Sequence, residues 1–244
     1  MKTPLFCSFL AISLAWGAAL ESVVDPGSWV SPKRSVRIRG SVGAWVLPDS
    51  EGALRFKMRY VKIGQALPQL TLSLTDPQGV TLQPGSLALG EEKTWDLATK
   101  TQGAHFLELD AGASGFTLTG DPNPLVLDAS KPVHFYGGDG LFYLWVPPQV
   151  QAFTIFVRAE GDGEGAKAEL RIVDGESLGI RDDIGKQFVE LCGSNTGNVG
   201  KVATLRVDRP SSKDLRFEDY FIQVRGIAPF LAWTRESLLK AKLP

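Results

Sequence analysis

Cysteine is nearly missing from this chain: of 244 residues, only Cys7 and Cys192 are cysteine, and Cys7 lies in the N-terminal apolar run. With that run removed no internal disulfide can form, which argues against an animal extracellular domain held by bridges and for a bacterial exported protein. Histidine is as scarce. His105 and His134 are the two present, and neither stands at helical or hairpin spacing from another ligand-type residue. A zinc centre draws on several His, Cys or carboxylate side chains, so the sequence offers no metal site and no cofactor. An excess of one charge is also absent: 26 basic residues stand against 27 acidic ones. That balance excludes the basic face that nucleic acid or anionic lipid requires. Long apolar runs are missing too, since the longest, residues 5–16, falls short of the roughly 20 residues of a membrane-spanning helix.

That short run has its own meaning. Lys2 precedes it and Gly17, Ala18 and Ala19 follow it, the three-part layout of a secretory signal peptide over 1–19. The expected location is therefore outside the cell or in the periplasm or cell envelope, with no stable membrane insertion after cleavage. Cys192, between Leu191 and Gly193, is expected to be a small buried apolar residue.

Apolar residues make up 43% of the chain, enough to fill a substantial core. Their period is two. Leu54, Phe56 and Met58 alternate with Arg55, Lys57 and Arg59, and Leu70, Leu72 and Leu74 alternate with Thr71, Ser73 and Thr75. Together with Arg37 and Arg39 the basic residues are read as the solvent side of half-buried strands. The Leu run closes on Asp76-Pro77-Gln78-Gly79, with Pro and Gly where a turn takes them. Short strands separated by turn signals, with no helical period between them, predict an antiparallel sandwich or barrel.

Much of the pattern occurs twice. Trp45-Val46-Leu47-Pro48 and its following strand match Trp145-Val146-Pro147 and residues 153–158; Arg59 matches Arg158, and Leu72, Leu74 and Asp76 match Leu170, Ile172 and Asp174. Residues 105–109 are aligned with 220–224, and Gly115-Phe116 with Pro229-Phe230. Trp45 and Trp145, at equivalent places, are expected to pack between sheets. The predicted fold is thus all-β, with two tandem antiparallel β-sandwich, jelly-roll-like domains after the signal peptide, over residues 20–128 and 129–244. A short C-terminal helix, N-capped by Thr234, completes the second.

Leu70-Thr71-Leu72-Ser73-Leu74-Thr75-Asp76-Pro77-Gln78-Gly79, followed by Gln102-Gly103-Ala104-His105-Phe106-Leu107-Glu108-Leu109, resembles the β-sandwich modules of the bacterial pre-peptidase C-terminal type. The second copy, with Tyr143-Leu144-Trp145-Val146-Pro147, is similar to jelly-roll accessory modules found beside secreted hydrolases, although Gly175-Glu176 replaces the Pro-x-Gly turn. The resemblance implies a non-catalytic role in binding polymers or assisting secretion. It transfers no binding residue.

Catalytic patterns are thin. Glu108 and Asp110, two apart on one strand, project from one face as paired glycosidase carboxylates do, yet Gly112 ends the alternation. Gly137-Gly138-Asp139-Gly140 reads as a turn, and no Gly-x-Ser-x-Gly elbow occurs. Asp162, Glu164, Asp182 and Asp183 could supply oxygens for Ca²⁺ in a long loop, but their spacing fits no calcium-loop motif and they are read as solvated loop acids. The candidate ligand residues are aromatic. Trp29, Trp95 and Trp233 lack a repeat partner, and beside Tyr136 or Tyr143 an exposed indole would stack on a sugar ring. The sequence therefore points to a non-catalytic binding protein with a polysaccharide or glycan as partner. The alternatives are an assembly role with another envelope or secreted protein and, last, a glycoside hydrolase.

Overall fold

The computed structural model describes residues 20–22, 37–49, 51–64, 67–120, 124–173, 175, 177–235 and 237–241; the expected signal peptide over 1–19 and Trp29 lie outside them. Every helix or strand element among these residues is a strand, so the all-β, antiparallel class predicted from the period-two pattern holds. A short β1 (Leu20–Ser22) stands apart from the first large set. That set comprises β2 (Arg37–Val46), β3 (Ala53–Val61), β4 (Gln69–Thr75), β5 (Thr81–Ala88), β6 (Glu92–Ala98), β7 (His105–Thr119) and β8 (Leu125–Asp128).

Two of these strands serve two sheets. The front part of β2 and the rear part of β7 pair with each other, and β7 continues to β3 and β3 to β6. Past Gly40 in β2 and before Gly112 in β7, the same strands pair again, and β7 now neighbours β4, which carries β5. The register of β2 on β7 shifts between Arg39 and Ser41, and both corner glycines hold positive φ, +78° and +57°. A bulge with a left-handed glycine is how one strand bends from sheet to sheet. The inward rows Leu54, Phe56, Met58 and Tyr60 of one sheet and Leu70, Leu72, Leu74, Leu107 and Leu109 of the other meet in one buried core.

The second set follows in the same order: β9 (Val133–Tyr136), β10 (Gly140–Val146), β11 (Val150–Ala159), β12 (Ala166–Ile172), β13 (Ser177–Ile184), β14 (Val189–Asn195), β15 (Lys201–Asp208), β16 (Asp219–Arg225) and β17 (Phe230–Leu231). Its pairings repeat those of the first, β9-β16-β11-β14 in one sheet and β10-β15-β12-β13 in the other. Here the corners are broken open: residues 137–139 separate β9 from β10, and 209–218 separate β15 from β16. The eight-strand order of each half is that of a jelly roll.

This topology corrects part of the repeat alignment. Residues 105–109 correspond to 201–205, since Trp45 faces Phe106 as Trp145 faces Val202, and Leu72 faces Leu109 as Leu170 faces Leu205. Residues 220–224 answer to the rear of β7. Alternation alone cannot distinguish one bent strand from two strands joined by a loop. The long span after β12 holds β13 and β14, the counterparts of β5 and β6.

The halves join strand to strand. Ile38 of β2 pairs with Phe135 of β9, and Leu127 of β8 with Leu231 of β17. Both joints are antiparallel and link corresponding strands, which relates the halves by an approximate twofold axis through the seam. One hydrogen-bonded sheet, β14-β11-β16-β9-β2-β7-β3-β6, therefore crosses the whole molecule. In the other layer, the backbone bridge between Tyr143 and Ala232 ties β10 to the chain following β17.

Three further expectations change. Trp45 and Trp145 do not lie between sheets; they alternate with the core rows and pack on the opposite face in a satellite cluster with Tyr143, Phe230, Ala232 and Leu238. The C-terminal segment is not a helix. Thr234 Oγ1 accepts from Ser237 N at 3.2 Å, but only one turn forms, and β18 (Leu239–Ala241) pairs with β1 instead. The buried Leu238 pins that turn, and strand pairing then supplies the backbone bonds that a helix would have supplied. Cys192 is exposed, not buried: on β14 it alternates with the buried Leu191, and β14 is the last strand of its sheet.

Candidate functional site

Strand alternation that buries Leu107 and Leu109 turns Phe106, Glu108 and Asp110 to the opposite face of β7. Across that face Ser41 and Gly43 of β2 lie beside Asp110 and Glu108, with Thr71 and Ser73 of β4 on the other side. Asp128 of β8 sits opposite Gly43. These residues, with Ser130 and Lys131, line a groove of about 520 Å³ on the outside of the first half. Gly43 makes room for it, because a Cβ there would meet the Phe106 ring. Phe106 therefore packs over the glycine, its centroid 4.6 Å from that of Trp45.

The three carboxylates are not equivalent. Asp110 accepts from Ser41 Oγ at 2.8 Å and from Gly112 N at 2.9 Å, so it holds the β7 corner. Asp128 accepts from Ser130 N at 2.8 Å and closes its own turn. Glu108, exposed, has no hydrogen-bond or ion-pair partner among the described residues. Register places Tyr143 of the second half where the first has Gly43, Arg171 where it has Ser73, and Arg206 where it has Asp110. The same face there is filled, and Arg171 and Arg206 pair with Glu169 and Asp208 at 2.6 Å each.

A second group of side chains meets at the seam. Arg39 from β2 donates through Nη1 to Asp219 Oδ2 at 2.7 Å and to Glu160 Oε2 at 3.1 Å, and its Nε donates to the Ala113 carbonyl at 3.1 Å. His134 of β9 brings Nε2 to 3.2 Å from Asp219 Oδ2 and 3.6 Å from Glu160 Oε2. Its ring stacks on Phe221 at 4.1 Å, and the Arg158 guanidinium covers that phenyl at 3.8 Å. A hydrogen bond with Asp219, helped by burial, raises the Glu160 carboxyl above its ordinary range. Burial pushes Asp219 upward, but its contacts with His134 and Glu160 outweigh that and hold it below.

Of the aromatic residues singled out in the sequence, Trp95 is 3% and Trp233 8% exposed. Trp95 stacks on Phe56 at 5.3 Å; neither ring has a face free for a sugar. Tyr136, half-buried at the end of β9, shares the outer face of that strand with His134. Trp29 lies outside the described residues. Glu108 and Asp110 do share a face, as their spacing predicts. The loop acids serve structure: Asp182 accepts from Ser211 N and Oγ and Asp183 from Ser212 N, tying residues 209–218 to β13, while Asp162 pairs with Lys186. The arginine and lysine stripe of β3 meets β6 acids, Arg55 with Asp96 at 2.9 Å and Lys57 with Glu92 at 2.6 Å. The seam cluster left no signal in the sequence, because its members are separated by up to 180 residues.

No protein-family model and no curated protein sequence matches the chain. Among solved structures it is similar to the N-terminal CBM22-1–CBM22-2 tandem domain of Paenibacillus barcinonensis Xyn10C, at a TM-score of 0.20 and 7% identity, covering 87% of this chain and 80% of that one. A structure of infectious bursal disease virus Gt strain matches at a TM-score of 0.18 and 8% identity, over 86% of this chain and 78% of the other. Agreement this loose matches no side chain to a side chain.

Proposed function

We propose that the chain is an exported, non-catalytic binding module that takes a hydroxyl-rich polymer, a polysaccharide first, into the groove of its first half. The observation that carries this reading is the lining. An apolar Phe106 is surrounded by the carboxylates of Glu108, Asp110 and Asp128 and by the hydroxyls of Ser41, Thr71 and Ser73. Carboxylates accept the hydroxyl hydrogens that a sugar presents in quantity, and an aromatic ring takes its C–H face. Binding sites of this kind are concave, preformed and carry few polar groups at set places. Glycosidases set a pair of carboxylates about the scissile bond; of the three here, Asp110 and Asp128 accept hydrogen bonds that hold the fold's own corner and turn.

The test is affinity electrophoresis and calorimetry of the purified chain against a broad panel of soluble polysaccharides. A hit whose affinity falls at least about tenfold in both Phe106→Ala and Ser73→Arg supports the groove; Ser73→Arg copies the filled face of the second half. A folded wild-type chain that binds nothing in the panel sinks the glycan reading. An assembly role has one observation of its own. The edge strand β5 is flanked by exposed Val80 and Leu89 and carries exposed Leu82, and such an edge pairs readily with another chain.

A further inference from the structure

The seam cluster, not the groove, holds the second site. We infer that His134, Glu160 and Asp219 bind one divalent transition-metal ion of the Zn²⁺ or Mn²⁺ class where the two halves meet. One imidazole nitrogen and one carboxylate oxygen from each acid lie within 4.8 Å of one another. Four-coordinate metal–ligand bonds of about 2.0–2.1 Å set neighbouring donor atoms about 3.3 Å apart. His134 Nε2 stands 3.2 Å from Asp219 Oδ2 and 3.6 Å from Glu160 Oε2, which is that spacing.

Hydrogen-bond accounting points to the same place independently. Among the described residues, His134 Nε2 and Asp219 Oδ1 are buried polar atoms without a hydrogen-bond partner, and the Asp219 side chain is only 5% exposed. Buried polar atoms in a folded protein find partners, and one left over asks for an ion or water. The close approach of His134 to Asp219 therefore has the distance of a shared ligand sphere without the alignment of a hydrogen bond.

Arg39 does not fill the position. Each carboxylate oxygen has two lone pairs, so Glu160 Oε2 and Asp219 Oδ2 can accept from Nη1 and still coordinate. Carboxylates bind a metal deprotonated, and one guanidinium against two such ligands leaves a negative charge for the cation to neutralise. A ligand set of one nitrogen and two oxygens suits borderline Zn²⁺ or the harder Mn²⁺ better than soft ions, and Arg39 becomes the outer partner that orients the acids. Since Arg39 comes from the first half and the three ligands from the second, a bound ion acts on the seam itself.

The experiment uses the untagged chain in a Cys192→Ser background, which removes the exposed thiol, stripped with EDTA and titrated separately with Zn²⁺ and Mn²⁺ by calorimetry. Saturable binding of one equivalent, with a raised melting temperature, is the expected result. His134→Gln and Glu160→Gln should each weaken it by about 100-fold or more, beyond the usual loss for an outer partner. If His134→Gln does not fold, Glu160→Gln decides, since the Glu160 side chain is 40% exposed and tolerates change. No saturable binding of either ion by the folded chain, or one-equivalent binding unchanged in the variants, overturns the site.

Discussion

His105 shows how one side chain fixes a local environment. It is fully buried, with Nδ1 3.0 Å from the Gly103 carbonyl and Nε2 3.1 Å from Thr99 Oγ1. The carbonyl can only accept, so Nδ1 carries the hydrogen and Nε2 takes one from the threonine. Burial lowers the imidazole pKa from its ordinary 6.5, against the smaller opposing pull of the Gly103 carbonyl and Asp76. The unfolded chain then binds the proton more readily than the folded one. The contribution is fully present above the unfolded value and is lost as pH falls through the folded one. Melting temperatures of wild type and His105→Gln between pH 7.5 and 5 check this: the wild type should lose more on acidification. Equal slopes would remove His105 from the account.

At the scale of elements, the corners decide the architecture of the first half. β2 and β7 pass from one sheet to the other at Gly40 and Gly112, whose positive φ an L side chain rarely adopts. Gly40→Ala is the cleaner substitution, because its Cβ would have nothing nearer than the Gly112 carbonyl at 3.7 Å. Its cost is then backbone strain alone, about 1–2 kcal/mol, read as a shift in the denaturant midpoint. No shift would mean that the bend does not depend on the left-handed residue. The Asp76 turn lies at the same scale: Asp76 Oδ1 accepts from Gln78 N at 3.0 Å and Val80 N at 2.8 Å, as an aspartate-led turn requires. The alternating leucines and this turn were legible in the sequence because a strand and its turn are specified by neighbours in the chain. The corners were not, since alternation runs through a bend unchanged.

For the whole molecule the seam is the determining feature. A sheet that crosses both halves, one buried core drawing residues from each, and the Leu127–Leu231 pairing leave no lubricated boundary along which the halves can part. Calorimetry should therefore show one unfolding transition with matching calorimetric and van't Hoff enthalpies. Leu127→Ala, which empties a fully buried position, should lower that transition by about 2–5 kcal/mol without splitting it. Two resolved transitions in the wild type would show that the halves fold separately.

Local chemistry alone determined that this chain is a β protein, where most of its strands run, and that much of its pattern occurs twice. Those properties depend on residues two to four apart, and side-chain alternation and turn preferences act over that distance. Tertiary structure decided what each face meets. Trp45 and Trp145 read as core but are covered by the chain after β16, because burial depends on what folds over a strand and not on the strand. Gly43 opens a groove where Tyr143 closes one, a difference visible only once register makes them counterparts. His134, Glu160 and Asp219, ordinary strand and loop residues in the sequence, become a cluster because β16 pairs with β9 on one side and β11 on the other, and Arg39 joins them because β2 meets β9 across the seam.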